Sequence, residues 1–189
     1  MKQHPTLIDF PSEFTTARLL LRAPRAGDGA AVNAAIRESY AELRPWMPWA
    51  RTLPTAEETE TYMREKAAHF ALRTDLVFQL FLRSSGEFIG ATGLHRMDWS
   101  VPRFEIGYWL RTSRSGEGYM TEAVRGLTDF AVTHLHPRRI EIRMDHENAA
   151  SRRVAERSGY PLEATLYNDR RNLEGEIVHS CIYTLTFDP

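Results

Sequence analysis

The sequence predicts an α/β protein with one mixed sheet of about seven strands and about four helices. Short apolar runs of strand character alternate with longer segments of helical spacing, in the order β-α-α-β-β-β-α-β-α-β-β. A polar turn, Ser84–Glu87, joins two of the strand-like runs as a hairpin. At 189 residues, with 42% hydrophobic and 26% charged residues, the chain has the size and composition of one globular domain. We therefore expect a single domain over residues 1–189.

The first half of the chain is expected to form one strand, two helices and the hairpin. Asp28 is placed to cap the first helix, which Pro45 ends, and Thr55 and Glu58 have the spacing of a capping box for the second. Residues 1–14 are expected to be an irregular lead-in. The predicted elements are strand Arg18–Ala23, a helix carrying Val32, Ile36, Tyr40 and Leu43, a helix with Tyr62, Met63, Phe70 and Ala71 on one face, and strands Leu76–Arg83 and Phe88–Met97.

The second half is expected to alternate strands with two helices. A glycine-containing loop precedes a helix that Pro137 stops near Leu135, and Asn148 caps a short helix that ends at Gly159. The predicted strands are Arg103–Leu110, Arg139–Met144, Tyr160–Leu166 and Ile177–Phe187, with the polar residues Asn168–Glu176 as a loop between the last two.

The composition argues against several classes of function. Lys and Arg total 24 against 25 Asp and Glu, so a net charge of −1 provides no overall field for nucleic acid or a membrane surface. Cys181 is the only cysteine, so neither an internal disulfide nor a multi-cysteine metal site is expected. The N-terminus lacks a secretory pattern and no stretch reaches membrane-spanning length, which predicts a cytoplasmic protein.

The stretch Ser113–Thr128 contains the clearest candidate for a ligand site. Gly116 and Gly118 carry no Cβ, so the loop backbone can approach a ligand closely. The N–H groups of residues 117–121 have no partner inside the helix that they open, and the helix dipole adds positive potential there. This arrangement suits a phosphate or pyrophosphate, although a bare Gly-x-Gly is more typical of a turn followed by a helix cap.

Two neighbouring segments extend this pattern: Ile106–Leu110 (Ile-Gly-Tyr-Trp-Leu) and Gly116–Ala123 (Gly-Glu-Gly-Tyr-Met-Thr-Glu-Ala). Together they resemble the acyl-CoA-binding motif of the GNAT acetyltransferase superfamily, and within it the RimJ/RimL-like ribosomal-protein N-acetyltransferases. The resemblance covers nearly the whole chain. It implies the GNAT fold, with a mostly antiparallel sheet, and acetyl-CoA as a cosubstrate without a metal. Ser115 stands where the family has Gln or Arg, and Met120 replaces a small residue.

A second segment, Asn148–Tyr160, keeps the spacing of another GNAT motif. Many GNAT enzymes carry a Tyr seven residues after the Asn, but here Ala155 stands in that place, and Ser151 lies one helical turn earlier on the same face. The resemblance implies that Ser151 stabilises the departing CoA thiolate, directly or through water. The local alternative is that Asn148 caps a helix whose third position tolerates a serine.

Glu105 is the candidate proton acceptor for the attacking amine, because the ammonium form cannot attack. It lies on the strand that leads to the loop, and in the GNAT fold this strand flanks the thioester. A solvent-facing strand carboxylate paired with Arg103, Arg111 or another arginine is an equally good interpretation. His95 and Glu174 are weaker candidates for the base.

The resemblance also implies a set of acetyl-CoA contacts. Backbone N–H groups at Gly107 and Tyr108 would serve the oxyanion, and a bulge near them would splay this strand from Arg139–Met144 to admit the pantetheine. The expected contacts are Gly107, Tyr108, Trp109, Ser115, Gly116, Glu117, Gly118, Tyr119, Met120, Thr121, Asn148, Ser151 and Arg153.

An aromatic segment bounded by prolines is the candidate acceptor pocket. Pro45 and Pro48 flank Trp46 and Met47, which indicates a shaped loop rather than a core element. Core packing is the alternative, since a tryptophan buries a large area. The residues expected to line the pocket are Trp46, Trp49, His95 and Trp99.

The sequence therefore predicts an N-acetyltransferase that moves an acetyl group from acetyl-CoA to a primary amine by direct attack in a ternary complex. The acceptor is expected to be a protein N-terminus or a small-molecule amine. The alternative is a GNAT-fold sensor that binds acyl-CoA without catalysis. No nucleic-acid, membrane or metal partner is expected, and the protein is expected to be a monomer or a homodimer.

Overall fold

The structure is a computed structural model that describes residues 4–188. Its strands are β1 (Glu13–Thr15), β2 (Leu19–Arg22), β3 (Leu76–Leu82), β4 (Phe88–Asp98), β5 (Arg103–Leu110), β6 (Arg139–Asp145), β7 (Leu162–Arg171) and β8 (Ile177–Thr186). Its helices are α1 (Gly29–Glu38), α2 (Tyr40–Leu43), α3 (Ala56–Leu72), α4 (Tyr119–Leu135) and α5 (Ala149–Arg157). Within that range all eight strands form one sheet, in the order β1-β2-β3-β4-β5-β6-β8-β7.

Neighbouring strands of this sheet run antiparallel, except that β5 and β6 are parallel. Their pairing is short: it begins at Arg103 with Arg139 and ends at Glu105 with Glu141. β5 continues to Leu110 without pairing to β6, so the two strands separate beyond Glu105. The predicted split in the sheet is therefore present, and it opens next to the candidate base.

The predicted bulge beside Gly107 and Tyr108 is wrong. β5 keeps a continuous register with β4 from Glu105 to Leu110, and the irregularity in that pair lies on the other side, between His95 and Asp98. The parallel ladder simply ends, so the strands part without an inserted residue in β5.

The two faces of the sheet carry different helices. α4 packs against β2, β4 and β5 over the main core, which includes Phe78, Phe104, Leu127 and Phe130. On the opposite face, α1 and α3 pack against β4 and β3 around a smaller cluster that contains Val32, Ile36, Met63 and Phe88. Strand residues alternate between the two faces, so β5 contributes side chains to both.

Two short elements raise the strand and helix counts above the prediction. β1 occupies the end of the expected lead-in, where it pairs with β2, and a 3₁₀ turn lies at Pro5–Leu7. Residues 1–3 of that lead-in lie outside the described residues. The first predicted helix is divided into α1 and α2 at Ser39. Three-residue strands and four-residue helices are too short to show a clear hydrophobic period.

The predicted loop Asn168–Glu176 is shorter than expected. β7 extends to Arg171, and its pairing with β8 shifts between Leu166 and Arg170. Asn168 lies in that shift with φ +53°, a backbone region in which asparagine is enriched. A bulge thus lets the strand continue through a polar segment that composition alone identifies as a loop.

Two of the three predicted N-terminal helix caps are confirmed. Thr55 and Glu58 form both bonds of the capping box of α3, and the Asn148 Oδ1 accepts the Ser151 N–H at the start of α5. Asp28 precedes α1, but its carboxylate binds the Arg22 guanidinium instead of the helix. On α3, Met63 and Phe70 are buried as predicted, whereas Tyr62 and Ala71 are exposed, so the apolar face of α3 is narrower than expected.

Among residues 4–188, no helix combines the length and the apolar character needed to cross a bilayer.

Candidate active site

A cavity of about 480 Å³ lies between the sheet and the helices α1 and α3. Strands β3, β4 and β5 form one wall, and the loop after α2 contributes Met47 and Trp49. The alternation along β5 directs Glu105, Gly107 and Trp109 to this side. The ionisable side chains that line the cavity are Glu58, Tyr62, Lys66, His95, Arg96, Glu105 and Tyr108.

Glu105 is a largely buried carboxylate without a hydrogen-bonded partner on one oxygen. Its side chain is 17% exposed, and its Oε2 lies 3.4 Å from the Arg96 Nη1. That oxygen makes no hydrogen bond with any residue that the structure describes. Burial raises the pKa of Glu105, and the attraction of Arg96 opposes this rise only in part. Arg103 and Arg111 pair with other carboxylates, and the arginine that lies next to Glu105 is Arg96.

Arg96 points toward Glu105 because β4 is irregular at this position. Successive strand residues normally face opposite sides of a sheet, yet His95 and Arg96 both line the cavity. Arg96 has φ +47°, and the register shift between β4 and β5 begins beside it. Such irregularities re-aim side chains, and here the result is a cation at the edge of the cavity, 71% exposed.

Asp75 is a part of this site that the sequence did not identify. One of its oxygens lies 2.6 Å from the His95 Nδ1 and the other lies 2.6 Å from the Lys66 Nζ. Burial alone would raise the pKa of Asp75, but the bonds with His95 and Lys66 together hold that pKa below its usual value. An ionised Asp75 can only accept a hydrogen bond, so the His95 Nδ1 carries the proton that joins them, and this bond orients the imidazole ring. No local pattern around position 75 distinguishes it from an ordinary turn residue before a strand.

Two glycines make room for the His95 ring. A Cβ at Gly107 would lie 2.9 Å from the His95 Cδ2, and a Cβ at Gly93 would lie 3.0 Å from its Nε2. Both distances are shorter than normal contacts, so the imidazole occupies space that side chains at these positions would fill. His95 and Glu105 are direct partners across β4 and β5, so the imidazole and the carboxylate lie side by side.

Two hydroxyl groups connect β5 to α5 by hydrogen bonds. The Tyr108 Oη lies 2.9 Å from the Ser151 Oγ and donates to the Ser151 carbonyl oxygen at 3.0 Å. Burial raises the pKa of Tyr108, so the phenol keeps its proton. Ser151 takes part in both the helix cap, through its N–H, and this contact, through its hydroxyl and carbonyl.

The loop before α4 has the backbone shape of an anion site. Gly116 and Gly118 both have φ +83°, a conformation that other residues rarely adopt, and Gly118 precedes the first helical residue without a side-chain cap. Arg18, the residue before β2, contacts this loop: it donates to the Glu117 carbonyl oxygen at 3.0 Å and pairs with Glu122 at 2.6 Å. The loop is thus held in one shape, with the N–H groups at the helix start unmatched inside the helix.

The family is decided by a match to the model of the acetyltransferase (GNAT) domain, which covers residues 18–161 of this chain. The chain belongs to the GNAT acetyltransferase family. The matched range contains the cavity, the loop before α4 and the helix that carries Ser151.

The chain is similar to several named GNAT proteins. It is 30% identical over 108 residues to the uncharacterized N-acetyltransferase p20 of Bacillus licheniformis, an alignment that covers 57% of this chain and 60% of that protein. It is 27% identical over 124 residues to the ribosomal-protein-serine acetyltransferase of Escherichia coli K12, which covers 66% of this chain and 68% of that protein. The first of these matches therefore spans less than two thirds of the relative's length.

A solved RimL, a ribosomal L7/L12 alpha-N-protein acetyltransferase in complex with coenzyme A, superposes with a TM-score of 0.84 at 22% identity. The superposition covers 92% of this chain and 96% of RimL. This likeness establishes the GNAT fold, so the predicted α/β architecture is correct apart from the strand and helix counts.

Six of the predicted site residues line the cavity: Trp49, His95, Glu105, Gly107, Tyr108 and Trp109. Trp49 and His95 line the cavity, but Trp46 and Trp99 do not, so their predicted place in the pocket wall is wrong. Trp46 lies at the surface, whereas Trp99 packs edge-on against Phe104 in the core and donates a hydrogen bond to a backbone carbonyl.

The side chains around the loop divide into two groups. Met120 is buried in the core, and the Tyr119 ring packs beneath the Arg18 guanidinium at 4.3 Å, so these two support the loop from inside. The predicted contacts whose side chains are exposed are Ser115, Glu117 and Arg153, with Thr121 half-buried.

Glu174, the weaker candidate base, lies exposed in the turn between β7 and β8 and is not part of the cavity.

Among residues 4–188, no group of three or more His, Cys, Asp or Glu side chains is arranged to hold a metal ion.

Proposed function

We propose that this protein is an acetyl-CoA-dependent N-acetyltransferase that acts on a primary amine by direct attack in a ternary complex. The observation that carries the proposal is the combination of a buried, unbonded carboxylate oxygen at Glu105 and a Tyr108–Ser151 hydroxyl pair on the same strand and its neighbouring helix. The first can accept a proton and the second can donate hydrogen bonds. Amine acetylation needs both functions, because an amine loses a proton and a thiolate must be stabilised.

The loop before α4 supports the acetyl-CoA part of the proposal. A pyrophosphate suits backbone N–H groups at a helix N-terminus, and the left-handed glycines Gly116 and Gly118 keep side chains away from that backbone. A Cβ at Gly116 would meet nothing within 4 Å, so the approach to the loop is open. The gap between β5 and β6 beyond Glu105 provides a passage for the pantetheine arm.

Each residue then has one task in the transfer. Glu105 accepts the amine proton as the nitrogen attacks the thioester carbonyl carbon. Ser151 donates a hydrogen bond to the sulfur as the C–S bond breaks, and the released thiolate then takes a proton from solvent. A backbone N–H at Gly107 or Tyr108 stabilises the oxyanion, a contribution that usually accounts for a large share of the rate enhancement.

The acceptor is proposed to be a protein N-terminus or a small amine. The E. coli relative is named for acetylating a ribosomal protein serine, and RimL for acetylating the ribosomal protein L7/L12, which favours the N-terminus of a protein. Cavity walls formed by Trp49, Tyr62 and Trp109 would hold an apolar or flat group next to the amine.

The experiment that tests this function combines purified protein, acetyl-CoA and a panel of amines. The panel contains the N-terminal peptide of L7/L12, other N-terminal peptides, polyamines, aminoglycosides and amino-acid amides. Thiol release and the mass of the product are both measured. We expect thiol release that depends on an amine, together with an acetylated product. Binding of acetyl-CoA without amine-dependent thiol release would instead support the sensor.

Ser151→Ala should lower kcat by roughly 10- to 100-fold, since one hydrogen bond to a developing charge is worth about 1.5–3 kcal/mol. The KM for acetyl-CoA should not change, because this bond forms mainly in the transition state. The thermal midpoint should hardly move, as alanine is a good helix former. Steady-state kinetics and a melting curve are the measurements.

Ser158→Ala is the matched control. Ser158 lies at the other end of α5, and its Oγ is buried without a hydrogen-bond partner among the described residues. The control should keep the kcat of the wild type. A Ser151→Ala variant with unchanged kcat would remove Ser151 from the mechanism and leave water or a backbone group to stabilise the thiolate.

A further inference from the structure

We propose that Tyr108 is a positioning residue for Ser151, and that the two hydroxyls together replace the helix tyrosine that is absent at position 155. This inference rests on the proposed acetyl transfer and goes beyond it by assigning a task to a side chain on β5. The tyrosine that the family places on α5 is here an alanine, and a phenol from the opposite wall occupies the neighbourhood of that helix.

The sheet geometry explains how Tyr108 reaches α5. Glu105 and Gly107 face α1 and α3, whereas Tyr108 lies at an even position of β5 and packs against the main core on the other face. β6 no longer pairs with β5 at this point, and the Tyr108 hydroxyl contacts Ser151 directly. Tyr108 also lines the cavity, which places its ring at the junction of the two sides.

The hydrogen-bond inventory limits what the pair can do. The Ser151 carbonyl oxygen can only accept, so Tyr108 donates its single proton there at 3.0 Å and can accept the Ser151 hydroxyl proton at 2.9 Å. In a second arrangement the Tyr108 proton turns to the Ser151 Oγ, and the serine proton becomes free to point elsewhere. In this arrangement Ser151 can donate to a sulfur while its own oxygen accepts the Tyr108 proton. Tyr108 thus holds the serine rotamer and changes its own donation when the thiolate develops.

Tyr108 acts as a donor and does not lose its proton. Its burial disfavours a phenolate, as described for the cavity. No bond to Tyr108 forms or breaks in this account: its O–H changes acceptor from the Ser151 carbonyl to the Ser151 Oγ. The charge therefore remains on sulfur, stabilised by a two-hydroxyl chain, until solvent supplies a proton.

Tyr108→Phe tests the inference, with the best amine of the panel as acceptor. We expect kcat to fall by about 3- to 10-fold, the usual size of one neutral hydrogen bond, with no change in the KM for acetyl-CoA. Tyr108→Phe in the Ser151→Ala background should cause no further loss, because Tyr108 acts through Ser151. Two independent losses that multiply would overturn the inference.

The leaving group gives a second readout, which a merely structural role would not move. The thiol of para-nitrothiophenol is much more acidic than that of CoA. With its acetyl thioester, the departing thiolate therefore needs little stabilisation by hydrogen bonds. The ratio of wild-type to Tyr108→Phe kcat/KM should then fall toward one. An equal ratio for acetyl-CoA and the aryl thioester would mean that Tyr108 only supports the fold.

Tyr160→Phe is the matched control, because Tyr160 is also buried and its hydroxyl lies 2.7 Å from the Thr128 Oγ1 outside the cavity. Tyr160→Phe should lower stability without changing kcat.

If Tyr108→Phe does not fold, fluorotyrosine at position 108 keeps the packing and makes the phenol a stronger hydrogen-bond donor. A changed kcat then supports the inference and an unchanged kcat overturns it. Wild-type protein that acetylates no amine would overturn the proposed function and this inference together, whereas an active wild type with an unaffected Tyr108→Phe overturns this inference alone.

Discussion

Glu105→Gln is expected to lower kcat by roughly 10²–10⁴-fold at neutral pH, the range found for a positioned general base. The glutamine keeps the shape of the side chain but cannot accept the amine proton. Affinity for acetyl-CoA should not change, since the carboxylate serves the amine. The loss should shrink at high pH, where more of the acceptor is already the free amine. Initial rates across a pH series, with calorimetry for acetyl-CoA, provide the comparison.

The pKa of Glu105 sets the direction of the wild-type pH profile. Burial raises this pKa above its ordinary value of 4.5, so the carboxylate that accepts a proton forms only as the pH rises through the raised value. The acid limb of kcat/KM should therefore lie at higher pH than an exposed glutamate would produce. Glu105→Gln should lack this limb.

A stability measurement distinguishes a general base at Glu105 from a carboxylate that stabilises the fold through an ion pair. A raised pKa means that the protonated form stabilises the fold, and that this contribution is lost as the pH rises through the folded-state value. Glu105→Gln removes a carboxylate whose ionisation is unfavourable, so at neutral pH its thermal midpoint should equal or exceed that of the wild type. The difference should shrink toward pH 4.5 and below. A lower midpoint at neutral pH would indicate a stabilising ion pair.

Glu163→Gln serves as the comparison for an ion-paired strand carboxylate. Glu163 lies on β7, pairs with Arg139 and has its pKa lowered to about 2 by that bond. This variant should keep its activity over the whole pH range. A small loss in Glu105→Gln that is the same at every pH would place Glu105 with Glu163 and contradict its role as a base.

Gly118→Val is the second change with a large expected effect, and it concerns acetyl-CoA binding. Gly118 has φ +83°, and a β-branched residue held in that region costs about 1–3 kcal/mol. A Cβ at this position would meet only the Arg18 Nη2, at 3.6 Å, so the strain comes from the backbone rather than from a clash. The loop relieves that strain by changing its backbone conformation, so its N–H groups no longer point toward the ligand. Affinity for CoA should fall by roughly 10- to 100-fold.

Gly175→Val is the matched control for this strain. Gly175 has φ +86° in the turn between β7 and β8, away from the loop, and a Cβ there would meet nothing within 4 Å. Both variants should lose similar stability, and only Gly118→Val should lose CoA affinity by calorimetry. Wild-type affinity in Gly118→Val would show that the loop before α4 does not hold the pyrophosphate.

Local sequence patterns predicted an element correctly where its structure depends on that segment alone. β5 was predicted at Arg103–Leu110 and α4 to Leu135, and both agree with the structure because a strand alternation and a helical period are properties of single segments. The capping box at Thr55 is local in the same way. β1 and the bulge at Asn168 were missed, because pairing with a distant strand maintains them against a weak local pattern.

By itself, the sequence determined the order of the longer strands and helices, the glycine loop before α4 and the two residues, Glu105 and Ser151, to which we assign the proposed chemistry. Only the tertiary structure decided their partners. Asp75 contacts His95, Tyr108 contacts Ser151, and Arg18, next to β2, donates to the Glu117 carbonyl oxygen. These pairs depend on how the strands and helices are arranged in the folded protein. Sheet register sets which side chains share a face, and it arises from contacts between segments that are far apart in the chain, so no short stretch of sequence encodes it.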